Sequence, residues 1–138
     1  MTLLNLNQLF YRNPTGSFEL VGSVSSNAYG LHDRYDGSPV ANAVILKVAS
    51  ARQFTIQTNF SKCLAICDTA PTATVVFNVL RNGNQIGTIT FSTGSLVGIY
   101  SATTAITINE GDIVQVKGPT TANAAMTNVM VSLYGILN

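Results

Sequence analysis

The stretch that decides the fold is TATVVFNVLRNGNQIGTITF, from Thr72 to Phe91. It predicts two β-strands joined by Asn82 and Gly83, because both residues tolerate the positive φ that a two-residue type I′ loop requires. A regular antiparallel hairpin on this loop has these pairs: Val79 with Ile86, Phe77 with Thr88, and Val76 with Ile89. The sequence therefore predicts a β-hairpin between Thr72 and Phe91.

In that regular register, apolar side chains occupy both faces of the hairpin. One face carries Val75, Phe77, Val79 and Ile86, and the other carries Val76, Leu80, Ile89 and Phe91. An antiparallel hairpin in a monomer usually keeps one polar face in contact with solvent. We therefore expect another copy of the chain, in a homotrimer, to cover the second face. This pattern favours an assembling structural or adhesive protein over an enzyme.

The length and composition limit which classes of protein the chain can belong to. A chain of 138 residues is long enough for one domain with a substantial core. Charged residues make up only 9% of it, well below the roughly 25% of a typical soluble protein. Seven Lys and Arg balance six Asp and Glu, for a net charge of +1, so no electrostatic attraction to nucleic acid is expected.

The N-terminal sequence MTLLNLNQLFYRNPTG has neither the basic region nor the cleavage site of a secretory signal. No apolar run approaches the length needed to span a bilayer. We therefore expect synthesis in the cytosol, without membrane insertion.

Cys63 and Cys67 are four residues apart in KCLAICD. On an extended strand their Cα atoms would be roughly 13 Å apart, too far for a disulfide. The chain has a single His, and a zinc site requires more Cys or His ligands than these. The sequence therefore predicts two buried free thiols, with no metal and no cofactor.

The chain divides into two regions that differ in how densely strand patterns follow one another. Residues 1–50 are expected to form peripheral strands, at Phe18 to Val24 and Val44 to Val48, around a long loop from Ser25 to Val40. Residues 51–138 are expected to form the core from short strands: QFTIQTNF, KCLAIC, the hairpin, SLVGIYS, TAITINEGDIVQVKGP and NVMVSLYGIL. Such strands with Gly and Asn turns predict an all-β, single-domain antiparallel β-sandwich that is jelly-roll-like.

The run VVFNVLRNGNQIGTITFSTGS, the later ITINEGDIVQVKGP and the final VSLYGIL resemble small jelly-roll modules of bacteriophage virion proteins. Those modules occur in tail fibres, tail-tip proteins and capsid fibres, and their shape is similar to the trimeric tumour-necrosis-factor-like jelly roll. The resemblance covers about Arg52 to Leu137. It rests on fold-forming residues, so it implies architecture more strongly than function, and it implies a turn at Gly111-Asp112.

One segment, YGLHDRYDGSP, combines several side chains capable of binding chemistry. As a calcium loop it lacks the EF-hand spacing. One interpretation is a polar loop in which Asp33 and Asp36 accept hydrogen bonds from turn amides. The other is sugar recognition, with aromatic faces against C–H patches and Asp against hydroxyls. The candidate ligand-binding residues are Tyr29, His32, Asp33, Tyr35, Asp36 and Tyr100.

No catalytic motif is present in the sequence. Glu19 and Glu110 are the only glutamates, and no pair of carboxylates suited to glycoside hydrolysis stands out. We therefore expect a non-enzymatic virion structural protein, a trimeric tail-associated appendage involved in host-surface attachment. Its partners would be other virion proteins and host surface polysaccharide. The alternatives are a capsid decoration or head-fibre protein, and a small bacterial lectin-like adhesion module.

Overall fold

The computed structural model describes the backbone of Leu4–Asn5, Gln8–Arg12 and Phe18–Ser23 and, with side chains, residues 27–138. The first three segments are strands β1, β2 and β3, which form an antiparallel sheet in that order. The strand expected at Phe18 to Val24 is therefore found as β3.

Residues 27–138 form ten strands and one short 3₁₀ helix at Thr58–Phe60. The strands are β4 (Ala28–Tyr35), β5 (Val44–Ala49), β6 (Phe54–Ile56), β7 (Leu64–Ile66), β8 (Val75–Arg81), β9 (Asn84–Phe91), β10 (Ile99–Ser101), β11 (Ile106–Ile108), β12 (Ile113–Lys117) and β13 (Val129–Leu137). The prediction of an all-β antiparallel sandwich is confirmed.

Two sheets form the sandwich. In the first sheet the order is β11-β6-β13-β4, with β7 paired to β13 beside β6. In the second sheet the order is β10-β9-β8-β12-β5. Strands close in sequence alternate between the sheets, as β4, β5 and β6 do, and this order is that of a jelly roll. The core lies between the two sheets.

The terminal strand β13 is an interior strand of the first sheet. It pairs with β4 along one edge and with β6 and β7 along the other. Val129, Val131 and Leu133 point into the core and are buried. The apolar strand β13 therefore lies inside the sheet, away from a solvent-facing edge.

The hairpin loop is at Asn82 and Gly83, as predicted. Both residues have positive φ, 50° and 83°. Next to the loop, Arg81 pairs with Asn84 and Leu80 with Gln85, which is the expected register. The turn chemistry thus determines where the two strands begin to pair.

Beyond those two pairs the predicted register is wrong. A β-bulge between Val79 and Leu80 shifts the pairing by one residue, so Val79 faces Gly87 and Phe77 faces Ile89. A shift of one residue moves every later side chain of the strand to the opposite face. A Cβ at Gly87 would lie 2.3 Å from Cε2 of Phe60, so this register brings a glycine to the position where that ring packs.

The bulge also changes the two faces of the hairpin. The inner face contains Val75, Phe77, Val79, Ile89 and Phe91, all buried. The outer face is mixed, with Asn78, Thr88 and Thr90 beside Val76 and Leu80. The expectation of two apolar hairpin faces is therefore wrong, because the bulge places Ile89 and Phe91 on the same inner face as Val75, Phe77 and Val79.

The N-terminal part of the sandwich also differs from the expectation. Residues 28–35, expected within a loop from Ser25 to Val40, form β4 and pair with β13 from Tyr35↔Val129 to Ala28↔Ile136. The strand expected at Val44 to Val48 is found as β5, which pairs with β12. These two are outer strands of the sheets, so the sandwich includes residues on the N-terminal side of residue 51.

Residues 96–101 belong to both sheets. The amide of Cys67 donates to the carbonyl of Leu96 (3.0 Å) and the amide of Gly98 to the carbonyl of Ala65 (2.9 Å). From Ile99 onward the same segment forms β10, which pairs with β9 of the second sheet. The chain thus closes one side of the sandwich with backbone hydrogen bonds.

The two cysteines are free, as predicted. Cys67 is buried and Cys63 is half-buried. The Sγ of Cys63 accepts a hydrogen bond from the amide of Tyr134 (3.1 Å). Burial raises the pKa of both thiols, so they are protonated near neutral pH and behave as small apolar side chains.

Candidate functional site

Strand β4 carries four of the six candidate binding residues and ends immediately before a fifth, Asp36. His32 lies opposite Ser132 of β13, and Arg34 lies opposite Met130. Directly opposite residues of an antiparallel pair share a face. His32 and Arg34 are exposed, so this pair of strands presents a polar strip on the outer face of the first sheet.

A shallow groove of about 480 Å³ follows this strip. It is lined by His32, Asp33, Arg34, Met130, Val131 and Ser132. A second groove of about 310 Å³ lies between β4 and β5, and Lys47 and Val48 contribute to it. His32 and Asp33 line both grooves, so they occupy the boundary between them.

The two tyrosines of β4 are placed differently from His32. Tyr29 and Tyr35 are half-buried and pack against the core. The ring centroid of Tyr29 is 5.0 Å from that of Phe54, at an interplanar angle of 50°. Their rings contribute to the sandwich interior, so the structure does not display them as a stacking platform next to His32.

Tyr100 is separate from the β4 strip. Its ring is stacked on Phe60 with centroids 5.2 Å apart, and its hydroxyl donates to the carbonyl of Leu64 at 2.8 Å. Only 9% of the residue is exposed, and this burial raises the pKa of the phenol. Tyr100 therefore connects β10 to β7 inside the molecule.

The two aspartates have local partners. Asp33 accepts a hydrogen bond from the backbone amide of Arg34 at 2.8 Å, and Asp36 forms an ion pair with the Arg34 guanidinium. Both members of the ion pair are well exposed, so it contributes little to stability. Asp33 thus accepts from a backbone amide of a strand, and Asp36 from a side chain, so neither accepts from a turn amide as the polar-loop interpretation expects.

Of the predicted candidates, His32 and Asp33 both line the two grooves, although as neighbours on a strand they project to opposite faces of the sheet, and Asp36 lies beside Arg34. Sequence reasoning missed Arg34, Lys47 and Ser132 as neighbours. The alternation of Tyr29, Leu31 and Tyr35 is a period-2 signal that indicates a strand at this position. Ser132 comes close only through the pairing of β13 with β4, and Lys47 only because β5 of the second sheet lies beside β4. Neither arrangement has a local signal in the sequence.

The two grooves are thus lined by residues with hydroxyl, imidazole, carboxylate and ammonium groups: Ser132, His32, Asp33 and Lys47. Such groups hydrogen-bond polyhydroxylated ligands from an open surface. Within residues 27–138, no group of three or more His, Cys, Asp or Glu side chains is placed to hold a metal ion. In the described part of the chain, no helix has the length and apolar character to cross a membrane.

No protein-family model matches this chain, and no curated protein matches it.

Proposed function

We propose that this protein is a non-enzymatic structural component of a bacteriophage virion. It is a tail-associated appendage that assembles as a trimer of identical chains and takes part in attachment to the host surface. Its location is the virion, where its partners are other copies of itself and other virion proteins.

The observation that carries the proposal is the jelly-roll strand order together with the positions of the phage-like sequence runs. VVFNVLRNGNQIGTITF corresponds to the β8–β9 hairpin, ITINEGDIVQVK to β11 and β12, and VSLYGIL to all of β13 except its first two residues. Gly111 has a φ of 86° in the turn before β12, which is the role that the resemblance implies. The runs therefore coincide with the strands and turns that build the sandwich.

The attachment part of the proposal uses the β4 strip. His32, Asp33 and Lys47 are exposed and lie along adjoining grooves. Their hydrogen-bonding groups suit the hydroxyls of a surface polysaccharide. A trimer presents three such strips, so individually weak sites add through avidity.

The test is binding of the purified full chain to bacterial cells and to isolated surface polysaccharide. The double variant His32→Ala and Asp33→Ala is expected to reduce binding at least about tenfold, the change that corresponds to losing about 1.4 kcal/mol. Both side chains are exposed, so the melting temperature should stay unchanged. The exposed Glu110→Ala is the matched control, because it removes a carboxylate outside the strip.

Saturable polysaccharide binding that survives the double variant would place attachment elsewhere on the molecule. If the wild-type protein binds no bacterial surface but coats purified capsids, the attachment proposal fails and the capsid decoration alternative holds. If it binds free glycans and associates with no virion, the lectin-like alternative holds.

A further inference from the structure

A third groove lies at the end of the sandwich that carries the hairpin loop. It has a volume of about 330 Å³ and is lined by residues 102–107 together with Arg81 and Ile86 of the hairpin. Residues 102–105 carry the chain from β10 of the second sheet to β11 of the first. We call this the Arg81 groove. It shares no lining residue with the grooves along β4.

The β-bulge of the hairpin determines which residues of β8 and β9 reach this groove. The pairing of β9 with β8 passes from Gln85 to Gly87, so Ile86 is the extra residue of the bulge. Arg81 lies opposite the buried Val114 of β12 and therefore shares the inner face of the second sheet with it. Bulges are common next to active sites, where they re-aim a side chain. Here the bulge lies beside a cation at the end of the space between the two sheets.

The guanidinium of Arg81 is held in place by the opposite sheet. Its Nη1 donates to the backbone carbonyl of Thr107 in β11 at 2.7 Å. A guanidinium has five N–H donors, and the others make no hydrogen bond within residues 27–138. In that part of the chain the only ion pair joins Arg34 to Asp36. Arg81 therefore presents an oriented positive charge that no carboxylate neutralises at ion-pair distance.

The carboxylate that senses this charge is occupied elsewhere. Hydrogen bonds from Asn82 and then from Asn109 lower the pKa of Asp112, and the positive charge of Arg81 lowers it further. The two oxygens of Asp112 accept those two hydrogen bonds. Asp112 does not line the groove, so it leaves the guanidinium free for a ligand.

The remaining lining of the groove is neutral. Thr103 and Thr104 are exposed, and neither their hydroxyls nor their backbone amides make a hydrogen bond within residues 27–138. A threonine hydroxyl both donates and accepts, which matches the hydroxyls of a sugar. Ile86 and Ile106 are half-buried and offer aliphatic surface to C–H groups. The lining thus contains one cation, several hydroxyls and no carboxylate.

We propose that the Arg81 groove binds an anionic sugar unit. The carboxylate or phosphate of the sugar contacts the Arg81 guanidinium, which suits the bidentate recognition of either group, and its hydroxyls contact Thr103 and Thr104. The groove volume of about 330 Å³ is at the lower end of the range of about 300–1,000 Å³ for small-molecule sites, which suits a single sugar ring. The inference goes beyond the proposed function, because this site is separate from β4 and is tested without cells or virions.

The experiment is an NMR titration of the isotope-labelled full chain with glucuronate, with glucose 6-phosphate and with neutral glucose. At least one of the anionic sugars is expected to shift the amide resonances of Thr103 and Thr104 saturably. Glucose at the same concentration should leave them unchanged, because it lacks the charged group. The anionic sugar that binds more tightly identifies the recognised group as a carboxylate or a phosphate.

Arg81→Gln should weaken this binding at least about tenfold, because it removes a charge-assisted hydrogen bond. Lys117→Gln is the matched control. Lys117 is another half-buried cation of the second sheet and lies outside the groove, so this variant loses the same charge and should keep the wild-type affinity. An equal loss in both variants would assign the effect to overall charge and overturn the inference.

Several other results would also overturn it. They are unchanged binding in Arg81→Gln, equally strong shifts with glucose, and inorganic phosphate binding as tightly as glucose 6-phosphate. If Arg81→Gln fails to fold, Thr104→Glu takes its place, because it puts a competing carboxylate into the groove from an exposed loop position. Thr104→Glu should lose the anionic sugar, and unchanged binding would contradict the proposal.

The same titration separates this inference from the attachment site proposed on β4. The double variant His32→Ala and Asp33→Ala should bind the anionic sugar as the wild type does, because neither residue lines the Arg81 groove. Sugar binding lost in that variant and kept in Arg81→Gln would overturn the inference and favour the β4 strip. A wild type that binds the anionic sugar but no bacterial surface would support the inference and overturn the attachment proposal.

Discussion

The β8–β9 hairpin and the β7 region have similarly apolar sequences but present different surfaces to solvent. In the hairpin, one bulge gathers the large apolar side chains on the inner face and leaves Asn78, Thr88 and Thr90 outside. In β7, only Ala65 points inward, and Leu64 and Ile66 are exposed. The comparison teaches that apolar content predicts a strand, whereas register and neighbouring strands decide which side chains are buried.

The largest expected effect tests the faces of the hairpin. Phe91 is fully buried and packs edge-on against Phe77, with centroids 5.8 Å apart. Phe91→Ala should therefore lower the free energy of unfolding by about 3–5 kcal/mol in urea denaturation. Leu80→Ala, on the half-buried outer face, should lower it by less than about 2 kcal/mol. Equal losses would indicate the regular register, in which both residues share a face.

The next effect tests the loop from which that register starts. Gly83 has a φ of 83° and no atom within 4 Å of a Cβ placed on it, so a substitution there meets backbone strain and no clash. Gly83→Val should cost about 1–3 kcal/mol, and Gly83→Asn should cost less because Asn tolerates positive φ. Comparison of the three urea midpoints checks this order. Identical midpoints would contradict the type I′ loop.

A smaller effect tests what holds the β7 region. Tyr100→Phe removes the hydrogen bond to the carbonyl of Leu64 and should cost about 1 kcal/mol at pH 7. Because burial raises the pKa of Tyr100, only the unfolded chain ionises this phenol as pH rises above about 10. Wild-type stability should therefore fall above that pH.

The measurement for this prediction is the unfolding midpoint from pH 8 to about pH 11. The midpoint of Tyr100→Phe should decline less steeply than that of the wild type. Parallel declines would show that the Tyr100 hydroxyl is accessible to solvent.

The smallest effect tests how the hairpin loop is attached to the rest of the sandwich. The Nδ2 of Asn82 donates to Oδ1 of Asp112 at 2.9 Å, and the amide of Asn109 donates to Oδ2 at 2.9 Å. These hydrogen bonds, that from Asn82 first, lower the pKa of Asp112. The stabilisation is present above the ordinary carboxyl pKa of about 3.9 and is lost as pH falls below it.

Thermal melts between about pH 2 and pH 6 check this prediction. Asp112→Asn should melt slightly below the wild type at the upper end, and the difference should shrink as pH falls below about 4. A difference that is constant across the range would assign the effect to something other than the charge of Asp112.

Local sequence signals predicted most of the fold. Asn82-Gly83 located the hairpin, and alternating apolar residues located β5, β12 and β13. The bulge at Val79 and Leu80 was not predictable in the same way, because it satisfies packing against distant residues such as Phe60, for which Gly87 leaves room.

The candidate site was predicted less completely than the fold. His32, Asp33 and Asp36 were identified as polar residues close in sequence, and they do lie at one edge of the first sheet. Tyr29, Tyr35 and Tyr100 were grouped with them by chemistry alone, but the structure places all three rings against the core. Ser132 reaches the strip through strand pairing and Lys47 through the packing of one sheet on the other, neither of which a single sequence specifies.

The segment 96–101 has a further consequence for the way the sandwich opens. On its side, the two sheets are joined by a continuous backbone that hydrogen-bonds to β7 and then to β9. On the opposite side, within residues 27–138, no strand pairing joins β4 to β5. Thermal opening should therefore begin between β4 and β5 and proceed as a hinge about residues 96–101, so the hydrogen-bonded amides of Cys67 and Gly98 should exchange with solvent later than those of β4.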